Sequence, residues 1–529
     1  MVKGNCVVGC CAWVSSFVLA GGIILAGETV RLEPIGRFDT GIVDESASEV
    51  IAYHAPSRTL YSVNCHDNAI DMISVADPES PRRTGQVKLG EFGSLPTSVA
   101  ARKDIIATSV LSQDGREPGR VVLFTPQGEV LEAIQVGWHP DMVMFTPDGQ
   151  YLIVANEGEP TPDDKTDGDG SVSVVTIPKR VDAELANVTV RDAGFRAWDD
   201  KPLPPGVRAV NRKIPFSRDA EPEGISISPD SQIAYISLQE NNAVAIVDIP
   251  SATVTQIVGL HTKDHNQSGC ELDVSGRADV GRLQTCPVQG MYQPDNILAL
   301  QLAGQTYLVL ADEGDARRTD TYEESIALKD AKLDPQRFPH ASEWQSEAMY
   351  GSVLVSMTGD TDDDGDLDEL LTFGSRSLSI ITPDGRQVFD SGCRVERLIG
   401  NRLERQRRLF PDQPTGYETK KGPEPEGLAW GRIGTRTYVF LGLERDNGIV
   451  TFDVTDPQSA LIVDYCNPAD FAGRSVDFAK DVGPEGLVFI SADQSPNGRP
   501  LLAVSNEVSG SVTIYQVRTH DFIETAGNH

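Results

Sequence analysis

The chain has 529 residues, 39% of them hydrophobic, and its 78 acidic residues against 46 basic ones leave a formal net charge of −32. That balance argues against nucleic acid as a partner, since phosphate binding needs clustered lysine and arginine. It suits solubility and divalent cations instead.

Residues 1–27 read as a signal peptide. Lys3 supplies a positive charge, "CVVGCCAWVSSFVLAGGIILAG" an apolar stretch, and residues 20–22 and 26–27 the small side chains that cleavage needs. The stretch is also long enough to span a membrane, so an uncleaved anchor is the alternative. No second apolar stretch of that length follows. The mature chain is therefore expected in an extracytoplasmic compartment, periplasmic or secreted, with no stable membrane anchor after cleavage.

From residue 28 to 529 one domain is expected, because a single unit recurs. A Pro-acid pair opens a short apolar strand, a turn such as Pro-Asp-Gly follows, and a second strand ends in Asn-Glu or a relative. Third and fourth strands come next. The unit begins at His139 ("HPDMVMFTPDGQYLIVANEGEP"), Glu221, Gln293, Glu424 and Gly483, with two weaker copies over Ser48–Val75 and Thr97–Thr125. Short Val-, Ile- and Tyr-rich strands between turn residues are an all-β signature, and seven four-stranded units predict a seven-bladed β-propeller. The last unit lacks a fourth strand, whereas "VRLEPIGRFDTG" (30–41) is spare at the other end. That N-terminal strand is expected to close the ring and cover an open edge.

In such a blade the first strand starts, and the second ends, on one face near the channel. The pairs Asp141 and Glu157, Glu223 and Glu240, Asp295 and Glu313, Glu426 and Glu444, and Glu485 and Glu507 would then crowd one rim. Long insertions, at about 158–170, 193–220, 250–292, 314–371 and 393–423, fall on the same face. Like charges at a channel mouth call for cations, paired arginines or raised pKa values. A Ca²⁺ or mixed-metal site is expected from among Glu157, Glu159, Glu223, Glu313, Asp315, Glu426, Glu444, Glu485 and Glu507; the bland alternative is strand-end acids bonded to backbone N–H groups. His66 and His139 lie near blade tops, where a surface or structural role competes with ligation.

A second cation signal is "GDTDDDGDLDEL" (359–370). Asp360, Asp362 and Asp364 alternate, Gly365 permits a sharp turn, and Asp366 and Asp368 follow. This is the D-x-D-x-D-G core of an EF-hand-type loop. Leu371 stands at the twelfth position in place of the bidentate glutamate, and flanking helices are not evident, so a calcium loop of non-EF type is expected, the alternative being an acidic solvated turn. "PTPDDKTDGDGS" (160–171) is a weaker analogue. Among the cysteines after the signal segment, Cys270 and Cys286 bracket a loop and suggest a local disulfide. Cys393 and Cys466 each follow an outer strand and form a second possible pair; Cys65 is left odd. No GxSxG, P-loop or dinucleotide fingerprint occurs.

Five segments in order, "ANEGEP", "ADEGDAR", "DTDDDGDLDELLTFGSRSLSI", "LERDNGIVTFDVTDP" and "SNEVSGSVTIYQV", resemble the choice-of-anchor I family over about residues 30–517. This family is related to mesenchyme-specific cell-surface glycoproteins of biomineralising animals. The resemblance implies an exported β-propeller, often associated with calcium; bacterial relatives carry an alkaline-phosphatase-like label. The chain departs from the family in lacking a C-terminal anchor and in having Leu378 where an aromatic residue is expected. Two functions compete. One is a monomeric calcium-binding propeller that recognises a small-molecule or surface ligand, such as a mineral or cell-surface component. The other is a metal-dependent phosphoesterase, with Glu313 among the metal ligands and Arg317 or Arg376 stabilising developing charge. A propeller lactonase or sugar dehydrogenase is a third, weaker possibility.

Overall fold

The structure, a computed structural model, describes residues 28–178, 188–274, 283–346, 349–409, 421–474 and 476–521. The expected signal segment, residues 1–27, lies outside them.

Among the described residues, seven four-stranded antiparallel sheets form the body. The first blade runs Ile51–His54, Thr59–Asn64, Ala69–Ser74, Arg82–Lys88, and the next five repeat that order from Pro96, Pro140, Pro222, Ile297 and Pro425. The seventh takes Pro484–Ile490, Leu501–Asn506 and Ser511–Asp521 from the C-terminal end and Glu28–Asp39 from the N-terminal end. Each first strand contacts the first strands of the blades before and after it, and the seventh contacts the first, so the ring closes as a β-propeller. The closing strand pairs from Glu28↔Asp521 to Asp39↔Ser511.

The alternating apolar pattern explains how the blades stack. Each interface between neighbours holds its own apolar cluster. Between the first two blades, for example, Tyr61, Val63 and Ile70 meet Val99, Ile106 and Val122. Bottom turns stay tight; Gly149 adopts φ +67° in the Pro147-Asp148-Gly149 turn, a conformation glycine reaches without strain.

The long insertions fold together. The segment assigned to 250–292 departs from the blade only after Gly259, because Thr253–Gly259 is the fourth strand of the fourth blade. Strands Thr262–Asp264, Gln289–Met291 and Leu371–Thr372 then form a small sheet, and Leu272, Val288, Leu328, Val355 and Leu367 share a separate apolar core. The segment 393–423 contains the helix Arg394–Leu409. Cys65, Cys270, Cys286, Cys393 and Cys466 are all free thiols, so neither expected disulfide is present. Cys286 is instead packed in the apolar core of the insertions, and Cys466 in that between the sixth and seventh blades.

Closure rests on the N-terminal strand. Val30 and Leu32 are buried in the cluster between the last two blades, and the Leu32 N–H donates to Asp464 at 2.8 Å. Leu32→Ala is expected to lower the unfolding free energy by about 3 kcal/mol, read as a shifted denaturant midpoint; an unchanged midpoint would show that this strand is not needed for closure.

Candidate metal centre at the channel mouth

One position recurs at the start of every blade, two residues before the regular ladder between first and second strands. The ladder begins or resumes at Ile51, Val99, Val143, Ile225, Ile297, Leu428 and Leu487. The residues two places earlier are Glu49, Thr97, Asp141, Glu223, Asp295, Glu426 and Glu485. Six of these seven are carboxylates. In five blades the register shifts at this point. Such a bulge re-aims a side chain that a regular strand would place alternately.

Backbone contacts hold these residues close together. Ser109 and Ser237 donate to the backbone carbonyls of Asp141 and Asp295 in the next blade, at 2.9 and 2.7 Å, and Ser505 donates to that of Glu49. A Cβ at Gly427 would lie 2.0 Å from the Glu485 carbonyl oxygen, and one at Gly224 would lie 2.5 Å from that of Asp295. The glycine of Pro-Glu-Gly is therefore a spacing requirement between blades.

The carboxyls are half-buried, and burial followed by mutual repulsion raises their pKa values. Glu223, Glu426 and Glu485 are pushed well above the carboxylate range, Asp141 to about 6, and Glu49 and Asp295 to about 7. The repulsions cross the ring: Asp141 acts on Asp295 and Glu49, and Asp295 on Glu426 and Glu485. Among the described residues no lysine or arginine pairs with any of the six. Glu223, Glu426 and Glu485 each keep one buried oxygen without a hydrogen-bond partner.

Outside this ring lie the acids at the ends of second strands. Glu507, Glu49 and Glu485 form one group whose oxygens lie within 4.8 Å of one another; Glu313, Glu424 and Glu444 form a second, and His139, Glu157 and Glu159 a third. The second group has cations of its own. Lys421 Nζ lies 3.0 Å from Asp315 and 3.4 Å from Glu424, and Arg445 Nε donates to Glu424 at 2.6 Å. In the fourth blade the register puts Gln239, not Glu240, at the second-strand end that Glu157, Glu444 and Glu507 occupy in theirs, because Pro222 pairs with Leu238. The Gln239 amide donates to Glu313 at 2.8 Å.

The acids of "ADEGDAR" divide by depth. Asp312 is fully buried and accepts from Ser375, Ser377 and Ser379, its pKa raised to about 8 chiefly by burial. Glu313 faces the rim, and Asp315 pairs with Lys421. Neither arginine assigned to charge stabilisation faces outward. Arg317 directs Nη1 to Asp219 at 2.6 Å and Nη2 to Glu221 at 2.7 Å. Arg376 is buried against Glu396 of the helix Arg394–Leu409, at 3.0 Å.

In the aspartate loop, Asp360, Asp362 and Asp368 bring oxygens within 4.8 Å of one another. Asp364 and Asp366 do not join them: an Asp364 carboxylate oxygen accepts the Asp366 N–H, and Asp366 pairs with Lys332. Asp360 Oδ2 accepts from the Gly365 N–H at 2.9 Å, while its Oδ1 is buried without a partner. His66 is exposed beside Glu45. The ring residues Glu49 and Thr97 were not found from sequence, as neither follows the Pro-acid-Gly pattern; the two-residue offset from the ladder is the signal that identifies them.

Residues 49–457 match the choice-of-anchor I domain. Gigasin-3a of Magallana gigas is 29% identical over 192 residues, covering 34% of this chain and 68% of that protein. The mesenchyme-specific cell surface glycoprotein of Strongylocentrotus purpuratus is 28% identical over 347 residues, 57% of this chain and 41% of that protein's length. Among solved structures, Kuenenia stuttgartiensis hydrazine synthase superposes with a TM-score of 0.46 at 13% identity, over 90% of this chain and 99% of that one. A streptogramin B lyase does so at 0.45 and 8%, over 93% and 98%.

The raised carboxyl pKa values fix a pH dependence. A carboxyl whose folded-state pKa is raised favours the folded chain while protonated. That contribution is complete below about pH 4, where the unfolded chain is protonated too, and is lost as pH rises through the folded values. Chelator-treated protein is therefore expected to melt at progressively lower temperature from pH 5 to pH 8, the span containing the values of about 6 and 7 for Asp141, Glu49 and Asp295. A melting temperature that rises over this span would contradict the repulsive ring.

Proposed function

We propose, from the premise that this chain belongs to the choice-of-anchor I family, that it is an extracytoplasmic calcium-binding propeller. Its acidic rim and aspartate loop hold cations through which it engages a surface or mineral ligand. The observation that carries this reading is the ring of six carboxylates with no lysine or arginine partner among the described residues, three of them with a buried oxygen left unbonded. Burying such oxygens uncompensated is costly, and a hard dication with six to eight oxygen ligands removes both the repulsion and the unmet bonding. The loop around Asp360 offers the same chemistry at a second place.

Binding is favoured over hydrolysis by the arginines. A phosphoesterase needs donors free to meet charge developing on a phosphoryl group, whereas Arg317 spends its Nη atoms on Asp219 and Glu221 and Arg376 is buried against Glu396. Placement outside the cytoplasm is supported by the name of the sea-urchin relative, a cell surface glycoprotein. No helix among the described residues is long and apolar enough to cross a membrane.

Calcium at a hundredfold excess over its dissociation constant is expected to stabilise chelator-treated protein by about 2.7 kcal/mol for each site. Glu426→Gln combined with Glu485→Gln is expected to abolish most of this shift, whereas Asp360→Asn with Asp368→Asn removes only the loop's share. Titration calorimetry and thermal melts check both, and absence of any calcium-dependent shift in the parent chain would defeat the reading. Calcium-dependent hydrolysis of p-nitrophenyl phosphate, lost in Glu313→Gln, would replace it with the phosphoesterase.

A further inference from the structure

The three outer acid groups are chemically unequal. In the sixth blade, Glu424 precedes the proline of the first strand, Glu444 ends the second strand, and Glu313 comes from the fifth blade. Lys421 and Arg445 already neutralise that group. In the third blade the same two positions are His139 and Glu157, joined by Glu159. Among the described residues no lysine or arginine pairs with Glu157 or Glu159; their only such partner is His139, whose Nδ1 lies 3.4 and 3.0 Å from them. Beside them stands Glu221, 5% exposed. Arg317 holds its Oε2 at 2.7 Å, while its Oε1 is buried without a partner. Asp141 of the ring, Glu159 and Glu221 all repel Glu157, so the unbonded carboxylate and the ring acid adjoin the same cluster.

We propose that His139, Glu157 and Glu159, with Glu221 behind them, form a metal station beside the calcium ring, one that takes a late first-row dication of the zinc class. Imidazole nitrogen suits zinc and its neighbours, whereas calcium selects oxygen alone. One nitrogen with two or three carboxylates is a donor set for a zinc-class ion and a poor one for calcium. The station rests on the reading that the rim takes cations, but it differs from that reading in the ion it selects.

Cobalt(II) reports such a site through its visible absorption. Metal-depleted protein saturated with Ca²⁺ is expected to bind one equivalent of Co²⁺ with visible bands, and Zn²⁺ should displace it. His139→Gln is expected to weaken Co²⁺ binding by about 100-fold or more, since even outer-shell partners of a metal cost 10–100-fold, while most of the calcium-dependent rise in melting temperature is kept. Glu159→Gln, at a more exposed carboxylate, should weaken Co²⁺ in the same direction with an unaltered circular dichroism spectrum. Equal Co²⁺ affinity in the parent chain and both variants, or displacement of Co²⁺ by millimolar Ca²⁺, would overturn the station and leave the calcium reading standing. Failure of both ions to bind would sink the two together.

A separate observation concerns the cysteines. The Cys393 N–H donates to the Gly269 carbonyl at 2.8 Å. Covalent geometry then keeps the α-carbons of Cys270 and Cys393 within about 7 Å, the limit for a disulfide without backbone movement. Cys393 Sγ lies over the same turn, 2.9 Å from Glu271 Oε2, and both cysteines line one cavity of about 570 Å³. We infer that Cys270 and Cys393 are the pair that oxidises in an extracytoplasmic compartment. A protein disulfide supplies the oxidising equivalents. One cysteine thiolate attacks it to give a mixed disulfide, and the other displaces the reduced donor; two protons and two electrons leave the pair and the donor departs as a dithiol. Peptide mapping of exported, non-reduced protein should recover the 270–393 cross-link. Free alkylation of both residues, or a link between Cys270 and Cys286, would overturn the assignment.

Discussion

Six carboxylates face one channel mouth on a backbone that cannot move apart. The constraint is set by blade-to-blade contacts that leave no room for a Cβ at Gly224 or Gly427 and by serines that bind the carbonyls of the acid-bearing residues. Close packing fixes the side chains, and the side chains then repel. The ring thus stores a demand for positive charge that the protein meets unevenly around its circumference. Lys421 and Arg445 supply it beside Glu313, Glu424 and Glu444; the imidazole of His139 supplies part of it beside Glu157 and Glu159; and among the described residues no lysine or arginine pairs with Glu223, Asp295, Glu426 or Glu485.

That graded neutralisation argues for function in the unneutralised sector. A propeller that needed its acids only to end strands would pair or cap them, as Asp312 is capped by three serines and Asp446 is held by Arg402 at 2.6 Å. The same chain therefore knows how to satisfy a buried carboxylate, and at the inner ring it leaves three oxygens unmet. The architecture can carry the repulsion because its stability lies elsewhere, in seven apolar interfaces between blades and one strand from each end of the chain sharing a sheet.

Much of this was legible in the residues. Pro-acid-Gly at the first strand and an acid at the end of the second mark one face, and the spare strand near the N-terminus matches the missing strand of the last blade. The site was legible only in part. Glu49 lacks its proline and glycine, so only its place two residues before Ile51 reveals it. Glu240 stands one residue past the register place of the other strand-end acids, because Pro222 pairs with Leu238, yet its carboxyl still repels Glu223 and Asp295. Asp364 obeys the calcium-loop spacing, but its carboxylate turns to the Asp366 N–H, a choice made by the local turn. Arg376, expected to stabilise developing charge, is instead covered, because the helix Arg394–Leu409 brings Glu396 against it.

Sequence alone determined the all-β class, the number of repeated units, the strand that closes the ring and the face on which the acids gather, because side-chain periodicity and turn chemistry act over a few residues. Tertiary structure decided which acids meet, which are neutralised and which cysteines stand together. Those outcomes depend on distances between blades and insertions far apart in the chain. Neighbouring backbones set those distances, as when the Gly269 carbonyl meets the Cys393 N–H.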